Sequence, residues 1–411
     1  MKNRVIVLGA GMVGTCTALH LQARGFDVVL VDRRSPGLET SYGNAGLIQQ
    51  EAVEPYAMPQ DIGFLFQSAL GLRTEVNWHA NAMPHMLPSL WRYYKNSSAA
   101  KHALATQAYS RLTAHANSEH QPLITQSQSE DLITRSGFRF VYRTQQAFDE
   151  GCERADRLHR DYGVRSQILD ATALAQAEPV LRLPLAGSVH WQDPWAVSDP
   201  GALVQRYAQL LVVNGGQIVR GDANTLTHHN TNWLLQTEVG ELNAAQVVIA
   251  LGPWSNGFVK KLGYDMPVFI KRGYHQHYQQ PTRLSMPLLD AEKGYVIAPM
   301  QQGMRLTTGA EFANIDALPT PVQLQKTEKL AHELIGLAQP LATPPWLGAR
   351  PCTADMLPIM GAAPKHQGLW FNFGHGHQGF TLGPVAGRLL SELISKESTL
   401  IDTRPYSPTR F

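Results

Sequence analysis

The chain has 411 residues, enough for two domains and for a larger core than one ordinary domain holds. Its 44% hydrophobic and 17% charged residues are a folded globular composition, and 35 basic against 33 acidic side chains leave a net charge of +2. That balance argues against nucleic acid as a partner and for a small molecule.

Cys16, Cys152 and Cys352 are too scattered for a CxxC pair or a disulfide framework, which fits a reducing compartment. No segment approaches the ~20 apolar residues of a transmembrane span. The expected location is cytoplasmic, and peripheral contact with the inner face of the membrane stays compatible with it. The short apolar run at the start reads as a buried strand, since a signal peptide needs a longer one.

Arg4 to Leu8 is the first predicted strand, followed by Gly9-Ala10-Gly11-Met12-Val13-Gly14 and a helix to about Arg24. Phe26 to Val31 is the second strand and ends at Asp32. Gly9 permits the tight turn, Gly11 lets a pyrophosphate approach the backbone, and Gly14 lets helix and strand pack closely. The helix start adds unpaired N–H groups and a positive dipole end, and Asp32 can accept from a ribose 2′-hydroxyl. A lone GxGxxG often means only a turn, but here strand, glycines, helix, strand and acid follow in order. The segment therefore predicts a dinucleotide site.

Arg33 and Arg34 lead into a loop rich in small residues, Thr40-Ser41-Tyr42-Gly43-Asn44-Ala45-Gly46-Leu47-Ile48. An NAD domain would pass into a helix and a third strand, whereas this loop suits a second phosphate and an extended ligand. Ser41 and Asn44 are also ordinary turn residues, so the spacing alone leaves the choice open.

Further on, Met86 to Tyr94 and Ala103 to Leu112 have helical periodicity, with Pro84, Pro88 and Pro122 expected to interrupt it. Gly137 to Arg143 reads as a strand and Phe148 to Tyr162 as a helix. Asp199 and Pro200 have the form of a helix cap and first residue, with the helix running through Leu211. A strand at Gln217 to Arg220 comes next. The strand Ala245 to Ala250 empties into Leu251-Gly252-Pro253-Trp254-Ser255, a place where parallel sheets put ligand contacts. Strand pieces then recur at Val268–Ile270, Gly273–Tyr278, Gly294–Ala298 and Met304–Gly309, arguing for a separate sheet-rich substrate domain.

Gly348 to Gly361 precedes a strand at Gly368 to Phe373. Gly374-His375-Gly376-His377-Gln378-Gly379 then opens a helix through about Ile394, and its backbone donors suit the electron-rich edge of a flavin. No third ligand accompanies His375 and His377, so a hydrogen-bonded pair is expected and no metal.

The elements Gly9–Gly14, Thr40–Ile48, Ile249–Ser255, Gly348–Gly361 and Gly374–Gly379, in that order, resemble a large FAD-linked family. It contains glycine oxidase, D-amino-acid oxidase, sarcosine oxidase and the bacterial D-amino-acid dehydrogenases. The resemblance covers nearly the whole chain, and the last two elements look most like the dehydrogenase branch. It implies an α/β fold: a doubly wound FAD-binding domain (1–60, 190–265 and 341–411) and a mixed-sheet α+β substrate domain built from discontinuous segments (61–189 and 266–340). FAD would lie along Gly9–Gly14, Asp32 to Arg34, Thr40, Ser41, Asn44 to Ile48, Ala250, Gly252, Trp254 and Gly374–Gly379.

The implied activity is oxidation of a D-amino or cyclic D-imino acid, D-proline or hydroxyproline-like, to the imine by hydride transfer to flavin. Quinone, another carrier or oxygen would take the electrons. The alternatives are a glycine or sarcosine-type amine oxidase, or a flavin-bearing subunit of a larger amine dehydrogenase.

Two departures from the family pattern matter. The family often carries an arginine after the strand corresponding to Tyr295–Pro299, where it clamps the substrate carboxylate, and this chain has Met300. Arg350 of the GxRP motif is then the carboxylate candidate, with a salt bridge holding its loop as the alternative role. Tyr274 or Tyr295 would orient the substrate, and His375 or His377 would contact substrate or flavin edge. Sarcosine oxidases attach FAD through a cysteine at a position that falls near Gly348 here, so noncovalent FAD is expected.

Overall fold

A computed structural model describes residues 3–71, 75–279 and 284–411. Its first sheet has six strands, in the order Gln217–Arg220, Asp27–Asp32, Arg4–Leu8, Gln246–Ile249, Leu369–Phe373 and Ile359–Ala362. The first five are parallel and the last runs antiparallel. Parallel central strands are buried on both faces, which is why their residues form continuous apolar runs.

The alternation of side chains across the strands divides the core. Val5, Val7, Val28, Leu30 and Val248 face the helices Met12–Ala23, Pro200–Val213 and Gly379–Ser395. Ile6, Leu8, Val29 and Val31 face Trp233, Leu235 and Leu242 of a three-stranded antiparallel sheet. The helix start expected at Asp199 forms as read: its carboxylate accepts from the Ala202 N–H at 2.9 Å and Pro200 takes the first turn.

The second sheet runs Val76–Trp78, Ala310–Phe312, Val268–Tyr278, Gly303–Thr307, Tyr295–Met300, Leu288–Asp290, Phe138–Tyr142, Gly187–Trp191 and Ser166–Asp170. Trp346–Thr353 also pairs with Val268–Tyr278. The two pieces expected at Val268–Ile270 and Gly273–Tyr278 are thus one strand of 11 residues. Lys271 and Arg272 stay in the ladder, opposite Arg350 and Ala349.

The prolines interrupt less than their chemistry suggests. Pro84 lies in the first turn of the helix Met83–Asn96, where its missing N–H costs nothing. Pro88 and Pro122 lie inside the helices Met83–Asn96 and Ala116–Gln126, each continuing past its proline.

Two segments sit elsewhere than the sequence division puts them. Ala108, Leu112, Leu123 and Ile124 join Phe380, Val385 and Leu389 in the core of the first sheet, not of the second. Trp346–Thr353 belongs to the second sheet, because its backbone donors and acceptors are met by Val268–Tyr278. In both cases the partner lies more than 70 residues away, out of reach of local periodicity.

Candidate active site

A cavity of about 1390 Å³ runs from the first sheet to the second. It exceeds the roughly 300–1,000 Å³ of ordinary small-molecule pockets and suits an extended ligand plus a second small one.

Gly9, Gly11, Met12 and Val13 line one end. Gly9 has φ +107°, and a β-carbon there would run into the Ala250 carbonyl oxygen, so this turn admits only glycine. Gly14 does not line the cavity; a side chain on it would strike the Gly9 carbonyl, in keeping with a helix packed close on its strand. The helix that begins at Met12 has no cap from its own Gly11, and Ser41 Oγ accepts the Met12 N–H at 3.0 Å.

Asp32 and Arg33 line the next stretch. Asp32 accepts from the Ala10 N–H at 2.7 Å and the Arg34 N–H at 3.1 Å, so its carboxylate also braces the glycine turn. The Arg33 guanidinium lies 4.3 Å from the centre of the Trp254 ring, and both Arg33 and Arg34 pair with Glu39. Ala250, Gly252 and Trp254 line the same side.

Thr40, Ser41, Asn44, Ala45 and Leu47 bring the predicted loop to the cavity. Asn44 Oδ1 accepts from the N–H groups of Gly46 (2.8 Å) and Leu47 (3.1 Å) and shapes the turn. Arg305, buried in the second sheet, donates to the carbonyls of Tyr42 and Asn44 and fastens the loop across the two sheets. Burial lowers its guanidinium to about 10.

Gly374, His375, Gly376, His377 and Gly379 line the middle. His375 Nε2 and Asn372 Oδ1 are buried at the cavity wall with no hydrogen-bond partner among the described residues. Burial lowers His375 to about 3, so its ring is neutral. The predicted His375–His377 pair does not form among the described contacts: the His377 ring packs 4.7 Å from that of Tyr56. Burial, then the charges of Arg350 and Lys271, hold His377 well below its ordinary range. Among the described residues no group of three side chains could hold a metal.

Ala10, Arg34, Gly46, Ile48 and Gln378, also predicted for the cofactor, do not line the cavity, and Arg34 is exposed. Gln378 donates to Gln49 at 2.9 Å, and Gln49 to Glu51 at 2.9 Å. Burial raises the Glu51 carboxyl to about 7.

At the far end the second sheet supplies Arg350 and a residue the sequence reading missed, Lys271. The two stand opposite each other in the ladder and share a sheet face. The Arg350 guanidinium lies over Gly273, where a β-carbon would meet Nη2 at 2.5 Å, and donates to the Gly309 carbonyl at 3.0 Å. No salt bridge holds it among the described residues, so that alternative is not what the structure contains. Lys271 Nζ donates to the Tyr93 hydroxyl at 3.1 Å. Burial works against its charge, but Tyr93 and Cys352 outweigh that and leave the ammonium above its ordinary range.

The two predicted tyrosines are engaged elsewhere. Tyr274 borders the cavity, yet it points to the face opposite Lys271, where its hydroxyl is held by Glu311 (3.2 Å) and the Thr320 N–H (2.6 Å). Arg272 pairs with the same Glu311, both fully buried. Tyr295 does not line the cavity; its hydroxyl sits 3.5 Å from Arg143, which pairs with Asp290. Met300 is buried against Gly46 and is not in the wall, so the position of the family's arginine does not face the cavity here. Alternation along Val268–Tyr278 is the signal for Lys271; ending the first strand piece at Ile270 hid it.

The glycine cradle, the helix start at Met12, the small-residue loop, and the buried His375 Nε2 and Asn372 Oδ1, which have no hydrogen-bond partner among the described residues, fit an extended polar cofactor, and the architecture is that of an FAD-dependent oxidoreductase. The chain belongs to the FAD dependent oxidoreductase family DAO, matching it over residues 4–393. A D-amino-acid oxidase of Bradyrhizobium diazoefficiens is 28% identical, covering 100% of this chain and 99% of the relative. A D-amino acid dehydrogenase of Xylella fastidiosa is 29% identical, over 95% and 92% of the two chains. Glycine oxidase from Geobacillus kaustophilus has the same fold, with TM-score 0.75, 21% identity and full coverage of both chains. Among the described residues no helix is long and apolar enough to cross a membrane.

Proposed function

We propose that this oxidoreductase acts on a small D-amino or imino acid, with the cyclic D-proline-like members as the expectation from sequence. The observation that carries the amino-acid reading is Arg350: a guanidinium fixed over Gly273 at the cavity wall, with no carboxylate paired to it among the described residues. Such a fork is suited to a planar carboxylate. Two relatives of nearly full length, named D-amino-acid oxidase and D-amino acid dehydrogenase, support the D configuration.

Gly9, Gly11, the Met12 helix start, Ser41 and Asp32 would hold the nucleotide part of FAD, and Gly374 to Gly379 its ring system. Bound FAD supplies the acceptor for the hydride leaving the carbon beside the amine. The protein's part is positioning: Arg350 holds the carboxylate, neutral His377 offers a hydrogen bond without adding charge, and Tyr56 limits water.

Noncovalent FAD is supported by a cavity wall without cysteine. Cofactor remaining with the polypeptide after acid denaturation would refute it. A quinone or another carrier as acceptor, met at the inner face of a membrane, is supported by exposed Leu87 and Trp91 on the helix that also carries cavity residues His85, Met86 and Ser89. Faster reoxidation by a short-chain quinone than by oxygen is the expected result.

The test of the whole reading is anaerobic bleaching of the flavin by D-proline, cis-4-hydroxy-D-proline, their L forms, D-alanine, glycine and sarcosine. Bleaching by D members supports it; bleaching by glycine or sarcosine alone moves the assignment to the amine oxidases.

A further inference from the structure

Lys271 and Arg350 are paired residues of one ladder, but their charged ends diverge. The Lys271 ammonium turns toward Phe269, with ring centres of Tyr93, Phe269 and Phe312 at 4.6, 5.6 and 5.9 Å. The Arg350 guanidinium turns the other way, over Gly273 and toward Gly309. Phe269 and Gly273 are four residues apart on the strand, roughly 13 Å at about 3.3 Å per residue.

Neither cation has a carboxylate partner among the described residues. Lys271 bonds to a phenol and Arg350 to backbone carbonyls. Glu75 borders the cavity, but its backbone lies against Gly309 and its side chain against Gly294. The carboxylate of Glu311 is turned to the opposite face and neutralised by Arg272. A buried cation is costly unless an anion answers it, and aromatic rings answer only part of an ammonium's charge. The two heads turn toward opposite ends of the stretch from Phe269 to Gly273, so each presents its own place for an anion.

We propose that Lys271 and Arg350 form two separate anion subsites in one cavity, and that the preferred substrate is an amino acid carrying a second carboxylate. This rests on the amino-acid reading above and selects within it. Arg350 takes the carboxylate beside the amine. Lys271, at the aromatic end, takes the side-chain carboxylate, its remaining N–H groups being free of protein acceptors among the described contacts.

Binding can be read without turnover. The holoenzyme is titrated with malonate, succinate and glutarate, and with acetate and propionate, following perturbation of the visible flavin spectrum. The best dicarboxylate is expected to bind about 30-fold or more tighter than the monocarboxylates, with Lys271→Met removing most of that gap and Lys271→Arg keeping much of it. Equal affinity of the two classes for the wild type overturns the proposal, as does a Lys271→Met loss that is the same for both. If Lys271→Met fails to retain flavin, the wild-type comparison and Lys271→Arg decide. A second arm compares D-aspartate and D-glutamate with D-asparagine and D-glutamine as reductants. Preference for the acids supports the proposal and preference for the amides overturns it. Failure of every amino acid to reduce the flavin would sink the functional reading, while the titration still judges the two subsites.

Discussion

The Cε of Met300 lies 2.6 Å from where a β-carbon on Gly46 would stand. Gly46 has φ +71° and belongs to the loop fixed by Asn44 and Arg305, so Met300 is a packing plug between the second sheet and that loop. The family's arginine cannot simply be restored here. Met300→Arg should bury an uncompensated charge and destabilise the fold by about 3 kcal/mol or more without tightening carboxylate binding. Denaturant unfolding and flavin content measure the first part, and substrate titration the second; tighter binding with unchanged stability would refute the plug.

Gly9→Ala should leave a chain that purifies with little or no FAD. The cause is local: the residue combines φ +107° with a carbonyl where the β-carbon must go. The check is the ratio of visible to ultraviolet absorbance. A stoichiometric flavin in this variant would mean that the turn relaxes without disturbing the cradle.

Arg350→Ala should weaken apparent substrate affinity by about 2 kcal/mol or more, roughly 30-fold, and Arg350→Lys should restore little of it. A lysine cannot donate to the Gly309 carbonyl and still present a planar fork. Steady-state KM and anaerobic titration read the effect. Normal affinity in Arg350→Ala would remove the carboxylate role.

Glu51 makes stability fall as pH rises. Burial raises its folded value to about 7 from an unfolded value near 4.5, so the folded state binds more protons between those limits. Stability is therefore full below about pH 4.5 and is lost up to about pH 7, by about 3 kcal/mol in order of magnitude. Glu51→Gln should gain on the wild type at about pH 8.5 relative to about pH 5, read by denaturant midpoints. An identical difference at both values would show that Glu51 is not held neutral.

The buried histidines work with the opposite sign. His20, His120, His275 and His375 are lowered by burial to about 3, 4, 2 and 3, so the unfolded chain binds their protons first as pH falls below about 6.5. Each contribution is whole above that value and shrinks toward the folded one. Thermal scans of Glu51→Gln, in which the opposing carboxyl is gone, should show stability falling steadily from about pH 6.5 downward.

Much was legible locally. The positive φ at Gly9, the helix that follows, Asp32 with its bond to Ala10 and the Asp199 cap are set within about thirty residues, and propensity, capping and backbone geometry act at that range. From such features the chain alone determined a dinucleotide-binding fold and many of the residues that line one end and the middle of the cavity. The tertiary structure decided what depends on partners far along the chain. It set which face Lys271 shares with Arg350 and turned Tyr274 to Glu311. It closed Tyr295 into the Arg143–Asp290 pair, placed Met300 under Gly46, and drew Ala108 to Ile124 into the first core. The physical reason is that a side chain's role depends on the face it occupies and the charge it meets. In a mixed sheet both are assigned by strand pairings between segments as distant as Val268–Tyr278 and Trp346–Thr353.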